Sequence, residues 1–133
     1  MNRFVAFLFA SFVFFISLPV QVARGDDNSR TCALTKAFEC TMQDGCRESS
    51  IKEMALPRFI RIDLKAKTIK SLDKDITRES SFKNVDRLEG ILVLHGTELR
   101  GWSMAIGEKS NDLTLSASGD GESFIAFGSC MSK

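Results

Sequence analysis

From Glu89 to Cys130 the chain reads EGILVLHGTELRGWSMAIGEKSNDLTLSASGDGESFIAFGSC. Apolar blocks recur along it, at Ile91–Leu94, Trp102–Ile106, Leu113–Ala117 and Phe124–Phe127, each preceded by glycine or by a polar turn. Trp102, Met104 and Ile106 alternate with Ser103 and Ala105, and Leu113, Leu115 and Ala117 alternate with Thr114 and Ser116. Successive side chains of a strand point to opposite faces, so this period of two marks a sheet with one face buried. Strands that recur every ~8–12 residues with glycine turns between them predict an antiparallel meander.

The same period continues upstream. Ile60, Ile62, Leu64 and Ala66 alternate with Arg61, Asp63, Lys65 and Lys67, and Pro57 stands just before them, where a missing N–H removes no ladder bond. Thr68 to Leu72 reads as a further short strand, Ile76 to Val85 as a weaker one, and Lys36 to Met42 as an early strand. The one helical candidate is Glu48 to Leu56 (ESSIKEMAL), limited by Pro57 to about one or two turns. The expected fold is therefore all-β: a small antiparallel meander of roughly six to eight strands, closed or nearly closed into a barrel, with at most one short helix. Closure would remove the free edges. An open sheet curled over the short helix is the alternative.

The N-terminus sets the compartment. Met1-Asn2-Arg3 is followed by an apolar run from Phe4 to Val20, and Ala23-Arg24-Gly25 offers small residues two apart. This is the pattern of a secretory signal peptide over residues 1–25; an uncleaved anchor competes with it, at the short limit of a membrane span. Residues 26–31 read as a disordered N-terminus and 32–133 as a single β-domain. Cleavage leaves 108 of the 133 residues, with 16 Lys and Arg against 17 Asp and Glu, because Arg3 and Arg24 go with the leader. That balance argues against a nucleic-acid partner. The expected product is a periplasmic or secreted monomer with no membrane span.

Cys32, Cys40, Cys46 and Cys130 form an even set, which in a short exported chain implies two disulfides. Zinc knuckles bring thiolates together in close C-x2-C pairs, and no two cysteines here are so spaced. Asp44-Gly45 is a turn signal that would bring Cys40 to Cys46, leaving Cys32 with Cys130. The rival pairs Cys32 with Cys46 and Cys40 with Cys130; four cysteines allow three pairings.

Few residues carry chemistry. There is one His, His95, one Trp, Trp102, and no Tyr. His95 lacks a second His at ligand spacing and a placed nucleophile. The acidic turn Gly119-Asp120-Gly121-Glu122 lacks the ligand rhythm of a calcium loop. No catalytic residue, metal ligand or cofactor is assigned. Arg61, Lys65 and Lys67 would share one face of a strand and form the candidate partner-binding face, suited to an acidic cell-envelope protein or a glycan. An ordinary solvated sheet face is the favoured account of them, because the chain as a whole is not basic.

Gly101-Trp102-Ser103-Met104-Ala105-Ile106, Leu113-Thr114-Leu115-Ser116 and Ser123-Phe124-Ile125-Ala126-Phe127-Gly128-Ser129-Cys130 resemble segments of small exported proteins of alphaproteobacteria, which implies export and a disulfide at Cys130. Ser116-Ala117-Ser118-Gly119 resembles a loop of the membrane-bound lysozyme inhibitor family, small exported β-barrels with a Cys near the first strand and another near the C-terminus. The tyrosine-rich motif of that family is missing. The function expected is an exported binding or interaction domain without catalysis; the alternatives are an inhibitor of a cell-wall hydrolase such as lysozyme and a small-ligand carrier.

Overall fold

The computed structural model describes residues 28–131; the expected signal peptide, residues 1–25, lies outside them. The described chain forms β1 (Ser29–Thr41), β2 (Gly45–Ser49), β3 (Phe59–Asp63), β4 (Thr68–Ser71), β5 (Glu79–Ser81), β6 (Asn84–Leu88), β7 (Ile91–Gly96), β8 (Gly101–Gly107), β9 (Asp112–Ser118) and β10 (Glu122–Cys130). All pairings are antiparallel. Spatially the strands run β5-β4-β3-β1-β10-β9-β8-β7-β6, with β2 added on β1. The all-β antiparallel fold is as expected, with more strands than counted from the sequence. The sheet is an open, strongly curled half-barrel and not a closed barrel.

The reason lies in the middle of the sheet. First and last strands do pair, Cys32 facing Cys130 and Thr41 facing Glu122, but β1 uses its other edge as well. Its lower half pairs β3 from Ser29–Asp63 to Ala33–Phe59, and its upper half pairs β2 from Ala37–Ser49 to Thr41–Gly45. Besides the outer edge of β2, the free edges therefore fall on β5 and β6. These are joined directly through Phe82 and Lys83, whose N–H groups donate to Lys67 O at 3.0 Å and His95 O at 2.9 Å.

Three local expectations are corrected. Ser29, Arg30 and Thr31 belong to β1 and pair with Asp63, Ile62 and Arg61, so they are not part of a disordered start. The run after Phe59 stops at Asp63, because its Oδ1 accepts from the N–H groups of Lys65 (2.9 Å) and Ala66 (2.8 Å) and turns the chain. The candidate helix Glu48–Leu56 keeps a single turn. Glu48 and Ser49 are in β2, the Ser50 hydroxyl accepts from Glu53 N–H at 3.1 Å while Glu53 accepts from Ser50 N–H at 2.9 Å, and Met54 N–H reaches Ser50 O at 3.2 Å. This reciprocal cap starts a helix, but Ala55 at φ 50° ends it at once. Among the described residues there is no helix.

Both disulfides join residues directly opposite each other across strand pairs, Cys32 with Cys130 and Cys40 with Cys46. The core gathers at one end of the curl, from Cys32, Ile62, Phe82, Leu92, Leu94, Ile106, Leu113 and Cys130. A bulge in β1 between Leu34 and Lys36 puts Leu34 and Ala37 on the concave face, both buried.

Candidate functional site

Toward the other end the concave face opens. There a cleft of about 890 Å³ is lined at its base by Leu34, Ile60, Met104 and Leu115, and on its walls by Trp102 and Phe124. Alternation places these side chains: Trp102 and Met104 on β8, Leu115 on β9 and Phe124 on β10 are the inward members of their strands. The third wall is β2 and the capped turn behind it, through Ser49, Met54 and Leu56. The volume of the cleft lies in the ~300–1,000 Å³ range usual for small-molecule sites, with a lining more polar than is usual for them, nine charged side chains among it.

Trp102 is fixed from behind. It faces Gly96 across the β7–β8 pair, and its indole occupies the space that a β-carbon on residue 96 would take. Around the mouth stand charged groups. Arg47 on β2 donates to Glu39 on β1 at 2.6 Å, and Arg100 approaches Glu122 on β10 at 2.6 Å. Glu98 accepts from Ser81 N–H at 2.9 Å. Glu53 is held below the ordinary carboxylate value, chiefly by the Ser50 backbone N–H and then by its hydroxyl. Leu99 sits on the lip, 89% exposed. It has φ 61° inside a tight turn closed by Arg100 N–H to Glu98 O at 2.6 Å, a backbone region that leucine rarely enters.

The residues singled out in the sequence fall elsewhere. Arg61 lies exposed on β3, but Lys65 and Lys67 are in the turn after it. Lys67 adopts φ 55°, and its Nζ donates to Lys83 O at 3.0 Å. The three do not share a strand face, because Asp63 ends the strand before Lys65. His95 is outward on β7, its Nε2 3.7 Å from Asp86 Oδ2 and directly across from Ser103; these groups are on the convex side, away from the cleft. Among the described residues no three metal-ligating side chains are grouped, no cysteine is free, and no helix is long and apolar enough to cross a membrane.

The cleft itself was missed. Trp102, Met104, Leu115 and Phe124 carry the same alternating signal whether the concave face is packed or open, so their pattern reads as core. The available clue was Gly96, a glycine on the inward side of a strand opposite the only Trp. Comparison with protein-family models, with curated proteins and with solved structures finds no match to this chain.

Proposed function

We propose that this chain is an exported binding domain without catalysis, which takes its ligand in the concave cleft. One observation carries the reading: a cleft of about 890 Å³ with an apolar base and charged rim, in a chain whose chemistry-bearing residues are few and scattered. Export is supported by the N-terminal pattern of residues 1–25 and by two disulfides, which persist in oxidising compartments. Of the two alternatives drawn from the sequence, the ligand carrier is favoured, because Trp102 and Phe124 line open space and do not fill the interior.

Nile red, an uncharged apolar dye, tests the cleft directly. Saturable binding with a gain in dye emission is expected, abolished in Leu115→Glu when circular dichroism shows the sheet intact. Dye binding unaffected by that substitution would remove the cleft as the site. Saturating inhibition of lysozyme would overturn the carrier reading in favour of a protein-facing surface. Native mass spectrometry of the exported protein is expected to show a chain starting near Asp26, and a chain starting at Met1 would overturn export with cleavage.

A further inference from the structure

We propose that the ligand of this cleft is a cationic amphiphile, an apolar body seated against Trp102, Phe124, Met104 and Leu115 with an ammonium head at the mouth. The inference rests on the cleft reading above and adds the ligand's charge. Six glutamates and three arginines line the cleft: Glu39, Glu48, Glu53, Glu79, Glu98 and Glu122 against Arg47, Arg78 and Arg100. Two of the three guanidiniums are already met, Arg47 by Glu39 and Arg100 by Glu122, each at 2.6 Å. Glu48 and Glu79 reach lysines, Lys36 and Lys70, at 3.3 Å. Glu53 and Glu98 differ from these four. Their hydrogen bonds come from neutral donors: Ser50 N–H and hydroxyl at 2.9 and 2.8 Å and the Ser49 hydroxyl at 3.4 Å for Glu53, with Arg47 acting on it only weakly and without a hydrogen bond, and Ser81 N–H at 2.9 Å for Glu98.

With Lys36 and Lys70 counted beside the three arginines, the six carboxylates exceed the cations by one. This excess, left with Glu53 and Glu98 against Arg78 over apolar walls, biases the potential of the cleft toward negative. An ammonium placed there keeps part of its hydration, so the desolvation that opposes burying a charge is small. An anionic head would meet Arg78 alone among uncommitted cations of the lining and would face Glu53 and Glu98. The lip favours an amphiphile over a bare cation, because Leu99 extends the apolar surface outward, 89% exposed, beside Glu98.

The test compares three probes of equal chain length, decyltrimethylammonium, decan-1-ol and decanoate, below their micelle concentrations. Trp102, the only Trp, reports binding by its emission, with calorimetry as the second readout. At low salt the ammonium is expected to bind about tenfold tighter than the alcohol, with decanoate weakest. The Glu53→Gln/Glu98→Gln double variant keeps an acceptor oxygen at each position and is expected to bring the ammonium to the level of the alcohol. High salt should act in the same direction. Equal affinities for all three probes, or decanoate binding tightest, would overturn the cationic assignment and leave the cleft in place. Absence of saturable binding by any probe, with Nile red also failing and the sheet intact, would overturn both.

Discussion

Gly96 and Trp102 face each other across β7 and β8, and the indole fills the place of the absent β-carbon. Gly96→Ala must therefore push the ring toward the open cleft. We expect a red-shifted Trp emission and a loss of about 1–3 kcal/mol, as for overpacking elsewhere; unchanged emission would show that the ring is held by something other than this gap. Gly128 is constrained by backbone instead. A β-carbon there would run into the Ala33 carbonyl at the β1 bulge, so no side-chain adjustment relieves it. Arg30 is the opposite case, a side chain too polar for its place. It is 4% exposed, and its Nε and Nη1 are buried with no hydrogen-bond partner among the described residues. Buried donors left without acceptors carry their full desolvation cost. Arg30→Met is expected to raise stability by about 1–3 kcal/mol in urea unfolding. A loss of stability would show that the guanidinium has a partner in the native protein.

The elements differ in how plainly the sequence announces them. Strands β8 and β9 are legible because each keeps strict alternation between clear turns, β7 and β10 because each carries a short apolar run between such turns, and Leu94, Ile106 and Leu113 are buried on the inward face. The stretch Glu48–Leu56 misleads because good helix formers and a Ser50–Glu53 cap are local signals, whereas β2 is imposed by the cross-strand Cys40–Cys46 bond and pairing to β1. The extent of β3 is hidden for a similar reason, since alternation continues past Asp63 although its carboxylate already bends the chain. The two disulfides should not be equal. Cys32–Cys130 spans a sequence separation of 98 and Cys40–Cys46 one of 6. In the chain-entropy model the first contributes about 4–5 kcal/mol and the second about 2 kcal/mol. Replacing each pair by serines and comparing unfolding midpoints checks this order; equal losses would contradict it. The capped turn at Ser50–Glu53 carries a pH dependence. Glu53 is depressed by its hydrogen bonds to Ser50, so the stabilisation is present above the unfolded value and lost as pH falls through the lowered one. Protection of the Ser50 amide, taken relative to its intrinsic exchange rate at each pH, is expected to fall in acid, and unchanged protection would show that the carboxylate does not hold the turn.

At the scale of the molecule, the two ends of the half-barrel do different work. Ile62, Leu92, Leu94 and Ile106 are fully buried at one end, while Trp102, Leu115 and Phe124 are only partly buried around the cleft at the other. Period-two patterning cannot distinguish these ends, since both present apolar residues inward; only curvature and the path of β2 decide which end is filled. Leu94→Ala removes a side chain enclosed on all sides and is expected to cost about 2–5 kcal/mol. Trp102→Ala deletes a larger side chain, yet its cost is expected to be the smaller, below about 2 kcal/mol, because part of its surface is already in water and the vacated space opens to solvent. Dye binding should show the reverse order, nearly intact in a folded Leu94→Ala and lost in Trp102→Ala. Urea unfolding of both variants beside a Nile red titration decides it. If Trp102→Ala proved the more destabilising and Nile red still bound, Trp102 would be core and the cleft would lose its wall.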